Sequence, residues 1–207
     1  MPELSNIQTF EKIDGSNFRP TLDRFRNVLK NIGLWNEEIK NTFDNFKWSV
    51  EDDGFVYSSI TQLGHFKSRL SNIKIRPLVM VYTAAIDTPI EDNWISCELL
   101  ILSEELRSFD DGKFYRHTYE LVKALTFEMQ KEFNKTGIYF TDEAQDGSDF
   151  SAIRHHDATK LWQFDYALIP NNLDKFYSDK PKTHEILKQE KYNEAWLVER
   201  WTEKPYS

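Results

Sequence analysis

Residues 75–86 (IRPLVMVYTAAI), 94–102 (WISCELLIL), 113–135 (KFYRHTYELVKALTFEMQKEFNK) and 138–141 (IYFT) carry the reading of the fold. The first two runs are rich in β-branched and aromatic side chains, which suit a pleated, half-buried surface, so each reads as a strand. Pro77 has no N–H for a ladder and belongs at a strand start or a sheet edge. The seven residues 87–93 between the runs are enough for an antiparallel return and too few for a crossover helix. In 113–135, Phe114, His117, Leu121, Leu125, Met129 and Phe133 recur at helical spacing and Gly137 supplies a stop. A helix of that length runs ~30 Å, enough to cross a sheet face. Strand, strand, helix, strand is the order of an α+β layer.

Outward from this unit, Leu22, Phe25, Val28, Leu29 and Ile32 predict a helix over 20–32, opened by Pro20 and stopped by Gly33. Asn36 predicts the cap of a second helix reaching Phe43. Phe46, Trp48, Val50, Phe55 and Tyr57 alternate around Asp53-Gly54, a hairpin signature, and Leu63, Phe66, Leu70 and Ile73 are spaced for a helix over 61–72. Residues 1–18, with Phe10, Ile13 and Phe18 among polar residues, read as an N-terminal arm lying on the domain. Toward the other end, Phe164, Tyr166 and Leu168 alternate with Gln163, Asp165 and Ala167, giving a strand over 163–169. The C-terminal segment 170–207 is expected to pack on the domain. Within it Thr183, Ile186, Leu187 and Tyr192 suggest a helix, and 195–201 suits its continuation or a strand. The expected fold is a single α+β domain over 1–207, an antiparallel sheet of about four to six strands with helices packed mainly on one face.

Composition narrows the function classes. The chain has 207 residues, 40% hydrophobic and 29% charged, with 14% aromatic, which implies an aromatic-rich core. Its net charge of −8 leaves no electrostatic footprint for a nucleic-acid backbone or an anionic membrane. Cys97 is the single cysteine and sits in an apolar run, which excludes an intramolecular disulfide and a thiolate-rich zinc site and fits a reducing compartment. Residues 1–11 carry charges where a signal peptide needs an apolar stretch, and eighteen uninterrupted apolar residues occur nowhere. A soluble, cytoplasmic protein is therefore expected.

The densest polar cluster is Thr141-Asp142-Glu143-Ala144-Gln145-Asp146-Gly147-Ser148-Asp149, followed by Arg154-His155-His156-Asp157. A calcium loop starting at Asp142 would place Asp146 and Gly147 correctly, but its third position is Ala144 and its twelfth Ile153, so the template fails. If a metal site exists, Asp142, Asp146, His155, His156 and Asp157, with Glu143, are its candidates. Adjacent histidines point in different directions and do not readily share one ion, and the plainer reading has Asp157 capping a helix turn. No serine stands in a nucleophile elbow, and the scattered glycines build no phosphate cradle. No catalytic residue and no cofactor emerges.

These absences, the acidic balance and the aromatic excess lead to a non-enzymatic protein-binding module that occupies a partner's basic surface, as inhibitor, immunity or accessory proteins do. The candidate partner-binding residues are Glu104, Glu105, Asp110 and Asp111 in one acidic stretch and Asp142, Glu143, Asp146 and Asp149 in the other. Trp196 and Trp201 join them as interface aromatics. Two alternatives are a metal-dependent hydrolase using the loop 142–149 with His155 or His156, and a small-ligand sensor with its pocket between the long helix and the sheet.

Overall fold

The computed structural model describes residues 3–14, 17–46, 63–82, 93–142, 153–157 and 160–201. The strands are β1 (Leu4–Ile13), β2 (Phe66–Lys67), β3 (Lys74–Tyr82), β4 (Asn93–Leu102), β5 (Ile138–Thr141), β6 (Tyr166–Pro170), β7 (His184–Lys188) and β8 (Tyr192–Leu197). They hydrogen-bond into one sheet in the order β2-β3-β4-β1-β5-β6-β8-β7. The pairs β2–β3, β5–β6, β6–β8 and β7–β8 are antiparallel. The α-helices are α1 (Arg19–Asn31), α2 (Glu37–Asp44) and α3 (Arg116–Glu132).

The α+β class holds, but four to six strands with helices mainly on one face does not. The sheet has eight strands, and apart from α1 and α3 the named helices are short. Three misread segments account for the difference. Residues 4–13 form β1, an inner strand between β4 and β5, where an arm was expected. Ser5, Asn6, Gln8 and Thr9 are all buried there, so the polar residues that hide the strand from a hydrophobicity reading lie inside it. Residues 184–197 form the hairpin β7–β8 in place of a helix, closed by Gln189 N–H to Tyr192 O at 3.0 Å. Its Gln189-Glu190-Lys191 turn lacks the Gly, Asn or Pro that announces a hairpin. Residues 63–72 hold β2 and turns in place of the helix expected over 61–72. The hairpin expected around Asp53-Gly54 lies outside the described residues.

By contact density the chain divides into two compact units, Gln8–Leu100 and Met1–Ile7 with Ile101–Ser207. In the first, α1 buries Leu22, Phe25, Val28 and Leu29 at the predicted spacing. It ends at Gly33, whose φ of +77° lets Leu34 N–H reach Leu29 O at 2.8 Å. Asn36 Oδ1 accepts Ile39 N–H at 2.9 Å, the expected cap of α2. Arg19 donates to the carbonyls of Phe43 and Phe46 at 3.1 and 3.2 Å, satisfying backbone acceptors at the end of α2. Cys97 is buried, as its apolar run implies, and burial pushes its thiol pKa well up.

In the second unit, α3 packs on β5 and β6, burying Leu121, Val122, Leu125 and Met129. Phe114, Phe140 and Trp201 form one ring cluster. Tyr139, Trp162, Phe164 and Tyr177 belong to a second. A Cβ on Gly137 would stand 2.0 Å from the Tyr139 hydroxyl, which pairs with Tyr177 Oη at 2.7 Å, so only glycine fits there. The described residues include no helix long and apolar enough to cross a membrane.

Candidate functional site

The second unit presents the acidic stretch 104–111 on a braced loop. After β4 a 3-10 turn, Ser103–Glu105, is pinned by Ser103 N–H to Glu3 O at 3.1 Å and by Ser103 Oγ to Asp142 O at 3.1 Å. Arg107 and Phe114 bridge antiparallel. Between them Ser108 N–H bonds Lys113 O at 2.9 Å and Gly112 N–H bonds Ser108 O at 3.1 Å. Gly112, with φ of +66°, makes the return. Inside the turn, Ser108 Oγ accepts Asp110 N–H at 3.2 Å and Asp111 Oδ1 accepts Lys113 N–H at 3.0 Å, the local bonding that favours Ser and Asp in turns. Beyond it, Phe114 is fully buried, Tyr115 N–H bonds Leu106 O at 2.9 Å, and Thr118 Oγ1 donates to the same carbonyl at 2.5 Å.

The loop is held at its root and bare at its tip. Glu104, Asp110 and Asp111 are exposed and Glu105 is half-buried. Phe109, between Ser108 and Asp110, is 62% exposed, and Tyr115 is 40% exposed. Arg107 passes beneath, with its guanidinium carbon 4.9 Å from the Phe109 ring centroid. Lys113 and Arg116 lie on the return side, so the acids concentrate at the entry and tip.

A buried ionic cluster carries the root. Asp142 Oδ2 lies 2.6 Å from Arg107 Nε and also pairs with Arg200, while Asp142 Oδ1 accepts Ser5 Oγ at 3.2 Å. Arg107 Nη2 reaches Glu3 Oε2 at 2.7 Å. Asp165 Oδ2 accepts Asp142 N–H at 2.8 Å, its Oδ1 is 3.5 Å from Arg200 Nε, and its carbonyl accepts Trp201 Nε1 at 3.0 Å. Burial raises the Asp165 pKa to about 6, outweighing the opposing pull of Arg200 and the Asp142 N–H. Arg200 also offers its carbonyl to Phe114 N–H at 3.0 Å and lies over the Phe114 ring, so both guanidiniums bear on the loop.

The structure sorts the sequence-derived residues. Glu104, Glu105, Asp110 and Asp111 share the presenting loop. Asp142 is corrected from a partner-facing acid to a buried anchor, 7% exposed. Trp196 and Trp201, expected at a partner surface, are 4% and 8% exposed and pack inside, because β8 and the bridge from Trp201 to Phe114 turn their rings inward. Glu143, Asp146 and Asp149 lie outside the described residues.

Of the metal candidates, Glu143 and Asp146 lie outside the described residues, and Asp142, His155, His156 and Asp157 form no ligand group among the described ones. His155 meets Arg154 Nε at 3.1 Å, whereas His156 stacks on Phe176 with ring centroids 3.6 Å apart, its pKa lowered by burial and by Lys175. The Asp157 carbonyl accepts the N–H groups of Lys160 and Leu161, both at 2.9 Å. Among the described residues no group of three or more His, Cys, Asp or Glu side chains could hold a metal ion. Phe109 is the residue that sequence reasoning passed over. Its signal was an aromatic flanked by Ser108 and Asp110, with the charged Arg107 and Asp111 at strand spacing on either side. Comparison with known proteins finds no family that matches the chain and no matching curated protein.

Proposed function

We propose that this chain is a non-enzymatic, acidic protein-binding module that acts by occupying a partner's surface, in the manner of inhibitor, immunity or accessory proteins. One observation carries the reading: Phe109, 62% exposed, stands on a braced loop beside Glu104, Glu105, Asp110 and Asp111. Aromatic residues, Phe among them, are enriched in protein interfaces relative to the rest of the surface. Bracing lowers the entropy lost when a loop docks, so affinity is not spent on ordering it. Acids around an apolar anchor suit a partner pocket rimmed by Lys and Arg, with the charges steering encounter and the ring supplying the buried contact. The fitting partner is a protein, not a nucleic acid or an anionic membrane, since the loop and the net charge of −8 share their sign.

The test uses the immobilised chain as bait in extract from its native host. Wild type, Phe109→Ala and a control changed outside the loop, Lys40→Gln, are run side by side at low and high salt. The reading expects a captured protein with a basic surface that is retained by wild type and the control, lost with Phe109→Ala, and released by salt. Capture that is indifferent to Phe109 would remove the loop from the interface and the reading with it.

A further inference from the structure

The root of the presenting loop is short of positive charge. Glu3, Asp142 and Asp165 set three carboxylates against the two guanidiniums of Arg107 and Arg200. Both guanidiniums are drawn to one oxygen, Asp142 Oδ2, and Arg107 also reaches Glu3. Asp165 is left with the Asp142 N–H at 2.8 Å and a 3.5 Å approach to Arg200 Nε, a buried atom that makes no hydrogen bond. The Asp165 backbone is fixed, its N–H bonded to Phe140 O at 2.9 Å and its carbonyl taking Leu197 N–H at 2.9 Å and Trp201 Nε1 at 3.0 Å. A change of charge at this carboxyl therefore falls on its neighbours. Among the described residues the charged groups acting on it are Arg200, Asp142 and Arg107, with Glu3 behind Arg107. From β7, His184 Nε2 meets the Phe164 carbonyl next to it at 3.0 Å, and burial lowers the pKa of that imidazole.

We propose that Asp165 is a proton-operated latch on the loop 104–116, tightening it when protonated and loosening it when ionised, a regulatory role that rests on reading that loop as the binding surface. Protonated, Asp165 gives up its claim on Arg200, which then serves Asp142 alone, and two guanidiniums face two carboxylates. Ionised, Asp165 competes with Asp142 for Arg200 and repels the Asp142 carboxylate beside it. The change reaches the loop by two routes. Arg107 is a loop residue held by Asp142. Arg200 holds Phe114, accepting its N–H at 3.0 Å and placing its guanidinium carbon 5.0 Å from the ring centroid. The sign follows from an Asp165 pKa raised from 3.8 to about 6: the braced loop favours the proton, so bracing is lost as pH rises through that value. An opening that returns Asp165 to its ordinary pKa becomes about tenfold easier between pH 5 and pH 7.

The test is amide hydrogen exchange of the free full chain by NMR at pH 5, 6 and 7, corrected for the intrinsic exchange rate at each pH. The amides of Ser108 and Phe114, bonded to Lys113 O and Arg200 O, report on the loop, and that of Ile32, bonded to Val28 O in the other unit, is the reference. Wild type, Asp165→Asn and His117→Gln are compared, the last because His117 Nε2 lies 3.2 Å from Glu105 O and so touches the loop independently. In wild type, protection of Ser108 and Phe114 relative to Ile32 should fall about tenfold from pH 5 to pH 7. Asp165→Asn should hold it flat at the high value, and His117→Gln should follow wild type. A second measurement needs no variant: the carbon-13 signal of the Asp165 carboxyl and the loop amide shifts should titrate with one midpoint near 6. Flat protection in wild type, a fall that survives Asp165→Asn or vanishes with His117→Gln, or separate midpoints overturns the proposal. No partner is present, so failure here leaves capture through Phe109 standing, and failed capture leaves this result standing.

Discussion

Asp165 is a carboxylate whose burial outweighs its partners. Its pKa moves from 3.8 in the unfolded chain to about 6 in the folded one, so between these values the folded state holds more protons. Stability from this site is fully present below about pH 4 and lost as pH rises through about 6, a change of about 3 kcal/mol at 1.36 kcal/mol per pKa unit. Asp165→Asn cannot titrate. Urea unfolding from pH 4 to 7 should therefore show wild type losing up to about 3 kcal/mol relative to this variant, and parallel curves would refute the assignment. Gly137 tests packing in the same way. Alanine there drives a methyl into the Tyr139 hydroxyl and breaks its bond to Tyr177, so Gly137→Ala should cost roughly 2 kcal/mol or more in urea unfolding. Tyr139→Phe, which removes only the hydroxyl, should cost about 1 kcal/mol and should soften the penalty of Gly137→Ala in the double variant.

The presenting loop stands or falls with its turn. Gly112 has a φ of +66°, and a Cβ there would meet only Arg200 Nη1 at 3.6 Å, so Gly112→Ala isolates backbone strain from crowding. The expected cost is about 1 kcal/mol by urea unfolding, with faster amide exchange at Ser108 as its N–H bond to Lys113 O loosens. Unchanged exchange would mean that the turn is not what orders the tip. At this scale sequence reading did well where local chemistry decides. Pro20 and Gly33 frame α1, Asn36 caps α2, and the 3.6-residue spacing from Leu121 to Met129 places α3. It failed where tertiary context overrides pattern. β1 buries Ser5, Gln8 and Thr9, and no alternation rule reveals that Ser5 will find partners as distant as Ser103 and Asp142. Ile186 and Leu187 are adjacent in a short strand and mimic one side of a helix as easily as the two faces of β7. The candidate site was half legible for the same reason. The acids 104–111 stand together in the chain, but that Asp142 turns inward to hold Arg107 depends on a contact spanning 35 positions.

For the whole molecule, charge and anchor make separable contributions, and the loop allows them to be separated. Changing Glu104, Glu105, Asp110 and Asp111 to lysine would take the net charge from −8 to about zero, where proteins associate nonspecifically, and would confuse lost recognition with lost solubility. The amide variant Glu104→Gln/Glu105→Gln/Asp110→Asn/Asp111→Asn avoids this. It keeps the shape, and the amide oxygen introduced by Asp111→Asn can still accept Lys113 N–H as the carboxylate does. Its stability should stay within about 0.5 kcal/mol of wild type, since exposed charges contribute little to folding. Against the captured partner its association rate at low salt should fall on the order of tenfold, with a weaker dependence on ionic strength and a nearly unchanged dissociation rate. Phe109→Ala should do the reverse, leaving association and its salt dependence alone while dissociation accelerates tenfold or more, on the scale of about 1.4 kcal/mol per factor of ten. Stopped-flow kinetics of both variants across a salt series distinguishes the two roles. If the amide variant instead altered only dissociation, the acids would be direct contacts and not steering charges, and the partner's complementary surface would have to be sought in hydrogen-bond donors facing Asp110 and Asp111, not in a diffuse basic field.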